Sequence, residues 1–370
     1  MDMRLLILLC VPALVVAQTT DPLELARKKM TAKDFAAVQK DATTQLATNP
    51  RNKSALLLRG KAKVGLGDFY GAIADLTFAL EIDTTMAEAY NARGEAKIGL
   101  ADDEGALVDL DRAIRLQPRL ADAYTNRGFA KYNLDDLQGA YFDFSKALEL
   151  GPADADKYHN RAIVKAELGE FVSAIDDYSK AIELDRKDAM LYNLRGVAYF
   201  NTGNFELALA DYNQAILLDP KDALKFENRA LVKVAQEQYK SALEDYDQAI
   251  LLDSEEPETY NLRGIVKHTL QDYDGALADY NRAIALDDTN PDYYDNRAFT
   301  KIEKEDLAGA VDDLTISIEL YPADGEAYLQ RGLVKITMNN NYDGCLDLKK
   351  ADELGAPDAK AAIRKNCKTK

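Results

Sequence analysis

Arg59, Arg93, Arg127, Arg161, Arg195, Arg229, Arg263, Arg297 and Arg331 follow one another at intervals of 34 residues without an insertion or deletion. Sixteen residues after each arginine stands an aspartate: Asp75, Asp109, Asp143, Asp177, Asp211, Asp245, Asp279, Asp313 and Asp347, with Asp41 in phase one interval earlier. A chain that keeps phase over this length repeats one supersecondary unit. Such a unit cannot bury its apolar face alone and must share it with its neighbours.

Within an interval the apolar residues have a helical period. Tyr192, Gly196 and Tyr199 share one face, Gly203-Asn204 interrupts the pattern, and Phe205, Ala208, Tyr212, Ala215 and Leu218 resume it. The unit is therefore a helical hairpin. Glycine or alanine follows each arginine, as at Gly196 and Ala230, and Ala208 has a counterpart in nearly every second helix, so the two helices can approach closely. Pro118, Pro152, Pro220 and Pro322 follow second helices, where a missing N–H and a fixed φ end them.

A 34-residue helix-turn-helix with an early aromatic, small residues at the crossing and a late proline resembles the tetratricopeptide repeat. Tyr90, Tyr124, Tyr158, Tyr192, Phe226, Tyr260, Tyr294 and Tyr328 take the place of the family's early tryptophan, and the chain has no tryptophan. The resemblance implies an all-α fold, a right-handed superhelical α-solenoid of stacked antiparallel helical hairpins. It places nine repeats over 51–355. Residues 18–50 keep the phase but have Leu25 for the arginine and Val38 for the second-helix alanine, which reads as a degenerate N-terminal hairpin. Residues 356–370, with Ala359, Ala362 and Ile363 at helical spacing, read as a C-terminal capping helix.

The family places apolar residues where this chain has arginine and lysine. Arg195 falls on the core side of its helix, so its guanidinium is expected to reach Asp211, and each repeat is expected to hold one such pair. Lys63, Lys97, Lys131, Lys165, Lys233, Lys267, Lys301 and Lys335 stand four residues after the arginines, with Tyr199 the exception, and are expected to join the same or the next pair. Desolvation offsets much of the attraction, so the ladder is expected to set stacking register more than net stability.

Binding grooves of the family imply a ligand against the first helices. Asn91, Asn126, Asn160, Asn193, Asn228, Asn261 and Asn296, one or two residues before the arginines, form a broken polar row. It can pair with a partner's backbone, since a carboxamide both donates and accepts; the plainer alternative is that these asparagines solvate their helices. Phe129, Ile163, Val197, Leu231, Ile265, Phe299 and Leu333, two residues after the arginines, are expected to be core between repeats; otherwise they make the groove apolar. Phe129, Ile163 and Val197 occupy positions where co-chaperone repeats carry a clamp asparagine, so a carboxylate clamp is not expected.

His159 and His268 lack cysteines or acids at metal-ligand spacing, and a catalytic site is a singular constellation whereas these carboxylates recur with the repeat. The expectation is a non-catalytic scaffold with no catalytic residue, metal or cofactor, binding a protein or extended peptide. A formal charge of −17 argues against nucleic acid. Arg4, the apolar run Leu5–Val16 and Val15-Val16-Ala17 match a secretory signal over 1–17. At 1.5 Å per residue the run spans about 18 Å, too short for the roughly 30 Å hydrocarbon layer. An exported chain, periplasmic or secreted, is expected, with no membrane insertion after cleavage; signal anchor and lipoprotein are the weaker alternatives. Without Cys10 that chain keeps Cys345 and Cys367, which either pair across the cap or remain buried thiols. The alternative function is a structural subunit of an envelope or secretion assembly contacted along the solenoid edges.

Overall fold

The computed structural model describes residues 22–367. The leader, its anchor and lipoprotein alternatives, and the end of the tail lie outside the described residues. All regular structure among the described residues is α-helical. The helices are α1 (Pro22–Thr31), α2 (Phe35–Thr48), α3 (Lys53–Gly65), α4 (Phe69–Ile82), α5 (Ala87–Ile98), α6 (Asp103–Leu116), α7 (Ala121–Asn133), α8 (Leu137–Leu150) and α9 (Ala155–Glu167). They continue with α10 (Phe171–Leu184), α11 (Ala189–Asn201), α12 (Phe205–Leu218), α13 (Ala223–Ala235), α14 (Tyr239–Leu252), α15 (Pro257–Thr269) and α16 (Tyr273–Leu286). The last are α17 (Pro291–Glu303), α18 (Leu307–Leu320), α19 (Gly325–Thr337), α20 (Asn341–Glu353) and α21 (Ala359–Asn366).

The chain divides into two compact units, Met1–Leu168 and Gly169–Lys370. In the first, α1–α2, α3–α4, α5–α6 and α7–α8 pack as hairpins, and each second helix packs on the next first helix, ending with α8 on α9. In the second, α10 packs on α11, five hairpins follow from α11–α12 to α19–α20, and α21 closes on α20. Each unit is an α-solenoid. Successive first helices also touch, α1 with α3, α3 with α5 and α5 with α7 in the first unit, α11 with α13 and α15 with α17 in the second; contacts between successive second helices are weaker among the described residues. The first helices therefore line the inner side of each stack.

The hairpin turn follows from local chemistry. Gly203 adopts φ 74°, a left-handed conformation that costs glycine nothing, between α11 and α12. Elsewhere the residue after that position caps the second helix: Asp68, Asp102, Asp136, Asp272 and Asp306 each accept the N–H three residues on. At the crossing, a Cβ on Gly196 would lie 2.7 Å from the Tyr212 ring, and one on Gly60 2.6 Å from Leu76. Tyr212 lies fully buried between the helices, where burial of a large apolar side chain contributes about 1.5–3 kcal/mol.

The ends differ from the middle. In the first hairpin Val38 is buried, Leu25 is exposed in the arginine phase, and Lys29 still pairs with Asp41 at 2.6 Å. At the other end α21 lays Ala359, Ala362 and Ile363 on Leu329, Leu348 and Ala351, while Lys360, Arg364 and Lys365 stay exposed.

Candidate functional site

Two sets of repeated polar residues occupy different places. The first lies in the seam between the helices of a hairpin. Arg195 donates from Nε to Asp211 Oδ2 at 2.7 Å and from Nη2 to Asp211 Oδ1 at 2.8 Å, a two-pronged pair on a buried carboxylate. Its cation lies over the rings of Tyr192 and Tyr199, 5.8 Å from each centroid. The Asp211 hydrogen bonds raise the pKa of the guanidinium against the opposing effect of burial. The same two-pronged geometry joins Arg59 to Asp75, Arg93 to Asp109, Arg127 to Asp143, Arg229 to Asp245, Arg263 to Asp279, Arg297 to Asp313 and Arg331 to Asp347. Arg161 and Asp177 belong to different units.

Lysine completes the seam on the same carboxylate, as Lys97 with Asp109 at 2.8 Å and Lys267 with Asp279 at 2.7 Å. Where Tyr199 replaces the lysine, its ring covers the arginine instead. The third guanidinium nitrogen makes a contact that the sequence reading overlooked. Nη1 reaches back sixteen residues into the preceding hairpin: Arg93 to Thr77, Arg127 to Asp111, Arg195 to Ser179, Arg229 to Asn213, Arg263 to Asp247, Arg297 to Asn281 and Arg331 to Thr315. Each of these seven arginines thus ties its own hairpin together and fastens it to the one before.

The second set lies on the inner face. Asn126 Nδ2 donates to Asn91 Oδ1 at 3.0 Å, Asn228 to Asn193 at 3.1 Å and Asn296 to Asn261 at 2.9 Å. The asparagines are therefore not a row of free amides: six of the seven bond one another between successive first helices. The geometry brings the position two before one arginine against the position one before the next. Asn91, Asn193 and Asn261 are buried, and Asn261 also donates to Glu258. Asn160 is half-buried at the edge of an open cavity. The apolar positions expected as core are only partly buried. Phe129 packs with Phe144 and Val164, and Val197 with Val232, yet Ile265 and Phe299 are 37% and 40% exposed.

In the first unit this face encloses a cavity of about 400 Å³ running across α3, α5, α7 and α9. Asn91, Asn126 and Asn160 line it together with Glu95, Asp122, Asp156 and Lys61, and Met30 and Phe35 close one end. In the second unit Glu227 sits beside a cavity of about 520 Å³, its carboxyl pushed up by burial against the hydrogen bond it accepts from Thr259. Asp295 occupies the same register in α17, and burial raises its carboxyl to about 6 although the Ser317 hydroxyl opposes the shift.

His268 Nδ1 lies 2.8 Å from Thr300 Oγ1. No cluster of three or more His, Cys, Asp or Glu suited to a metal occurs among the described residues. Cys345 and Cys367 form a disulfide, with Cα atoms 5.7 Å apart, that ties the end of α21 to α20. No described helix is long and apolar enough to cross a membrane.

Three tetratricopeptide-repeat family models match the chain, over residues 164–203, 189–222 and 228–291. Together with the stacked hairpins, they define this chain as a tetratricopeptide-repeat protein. Its fold is that of a protein- or peptide-binding scaffold, and repeat proteins of this kind are generally non-catalytic. No curated protein matches the sequence. Among solved structures the chain is similar to YrrB, a TPR protein with an unusual peptide-binding site, at 26% identity over 48% of this chain and 92% of that one, with a TM-score of 0.45. It is similar to yeast Tom70 at 19% identity over 94% and 88%, TM-score 0.46. A tetratricopeptide repeat protein from Parabacteroides merdae is 21% identical over 66% and 97%, TM-score 0.45.

Proposed function

We propose that this protein is an exported scaffold that holds an extended segment of another protein against the inner face of its first helices. The observation that carries this reading is Asn91. Its side chain is buried, its Oδ1 is taken by Asn126, and its amide lines an open cavity. A carboxamide fixed in this way is set to meet a partner's backbone without selecting its side chains. Export rests on the leader-like residues 1–17, and a disulfide between Cys345 and Cys367 agrees with an oxidising compartment.

Cross-linking in intact cells followed by peptide identification tests the binding. The captured partner should be lost with Asn91→Ala plus Asn160→Ala while the helical circular dichroism is unchanged; capture by that variant at the wild-type level excludes the inner face. Export is tested by the mass of the mature N-terminus, expected at Gln18.

One observation favours the second reading, a subunit of an envelope or secretion assembly. Val108 and Phe142, on the outer sides of α6 and α8, are 68% and 67% exposed. Val108→Lys with Phe142→Lys separates the two readings, since it would disrupt an assembly held by the outer face and spare a ligand held inside.

A further inference from the structure

We infer that the inner face of the first unit takes an extended segment of a partner protein carrying a lysine or arginine at every third position. This rests on the scaffold reading above and adds the chemistry of the ligand.

The cavity holds an unused donor and an unused acceptor side by side. Asn91 is 6% exposed, and its Oδ1 accepts from Asn126 Nδ2. That bond fixes the orientation of both amides. It leaves Asn91 Nδ2 and Asn126 Oδ1 without a side-chain or backbone partner among the described residues. One donor beside one acceptor matches the C=O and N–H of a peptide backbone.

The charges on the same wall are unbalanced. The two cations lining the cavity are engaged, Lys61 with Glu88 at 2.7 Å and Lys157 with Asp154 at 2.8 Å. Glu95, Asp122 and Asp156 line it exposed, and none of them forms an ion pair among the described residues. A ligand with positive side chains is attracted to this wall, and an acidic one is repelled.

Spacing supplies the period. Asp122 and Asp156 hold the same register in α7 and α9, one repeat apart, and neighbouring helices in a stack are spaced on the order of 10 Å. A polyproline II segment rises about 3.1 Å per residue with three residues per turn, so it returns a side chain to the same face about every 9 Å. Two residues three apart in such a segment therefore meet Asp122 and Asp156, while its solvated backbone remains available to the asparagines.

The test is fluorescence anisotropy with the intact protein and three labelled twelve-residue peptides: four copies of Lys-Pro-Thr, four copies of Glu-Pro-Thr, and a peptide of the lysine composition with its lysines clustered. The regular lysine peptide should bind with a Kd on the order of 10 µM at low salt, weaken about tenfold in Asp122→Lys plus Asp156→Lys, and weaken in Asn91→Ala with its salt dependence kept. Equal binding of the glutamate peptide overturns the inference, as does wild-type affinity for the lysine peptide in the double charge variant. Equal affinity for the clustered peptide overturns the period. Self-association of the protein that the lysine peptide disperses assigns the groove to a second copy and overturns a foreign partner. A captured partner that depends on Asn91 but contacts this face through a neutral or acidic segment overturns the charge class and leaves the scaffold function standing; binding of the lysine peptide with no such capture does the reverse.

Discussion

The seam inside each hairpin and the inner face of the first helices are both polar, both repeat with the chain, and are used in opposite ways. In the seam the arginine and its aspartate recur unchanged, the lysine gives way only to Tyr199, and the charges are consumed, as where Asp109 receives Arg93 and Lys97 and the remaining arm of Arg93 goes to Thr77. On the inner face the residue two before the arginine changes along the chain, from Leu57 to Asn91, Thr125, His159, Asn193, Glu227, Asn261, Asp295 and Leu329. There hydrogen bonds run between hairpins and leave atoms over. Repetition without variation marks what the stack needs in order to stand. Variation at a fixed register marks where one hairpin is allowed to differ from the next, and hence where a ligand can be distinguished.

Mutations can break this contrast, beginning with the seam. Asp211→Ala leaves the Arg195 guanidinium without its carboxylate and should cost about 3–5 kcal/mol in urea unfolding followed by circular dichroism; a wild-type melt would show that the seam charges are dispensable. Cys345→Ser should cost about 3 kcal/mol, the loop-entropy value for a sequence separation of 22, read as faster hydrogen exchange confined to α20 and α21.

The inner face should respond more gently. Asp295 is raised to about 6 mainly by burial. Between about pH 4 and 6 the native chain holds that proton while the unfolded chain has released it, so stability falls as pH rises through this window. The loss should be roughly 1–2 kcal/mol after allowance for partial exposure, and Asp295→Asn should flatten that part of the pH–stability curve. Asn193→Ala removes one neutral hydrogen bond to Asn228 and should cost about 1 kcal/mol by the same urea assay. Gly196→Ala should cost less than about 1 kcal/mol despite its close approach to Tyr212, because Ala230 already stands in the equivalent place facing the buried Tyr246. A larger loss would show that the hairpins differ in helix separation.

The period, the helical hairpins and the seam positions were legible because they recur with a single letter at a single interval. The backward reach of each arginine was not. Its acceptors are Thr77, Asp111, Ser179, Asn213, Asp247, Asn281 and Thr315 in turn, different letters united only by being short and able to accept a hydrogen bond. A search by chemical role sixteen residues before each arginine would have found them. The asparagine pairs escaped for a different reason: Asn91 and Asn126 are 35 residues apart, one out of step with the repeat, because contact between neighbouring helices follows their packing and not the register of the chain. The partial exposure of Ile265 and Phe299 depends on how closely successive first helices approach, which no single repeat encodes.

A guanidinium that spans sixteen residues in each direction also constrains how a gene for this chain can change. One codon added to either helix of a hairpin would pull an arginine out of reach of its aspartate, of the residue behind it, or of both, whereas duplication or loss of a complete repeat restores the arginine's bonds at the new junction. Length can therefore evolve by recombination between repeats while small indels are purged, until α21, fastened by its cysteine, ends the series.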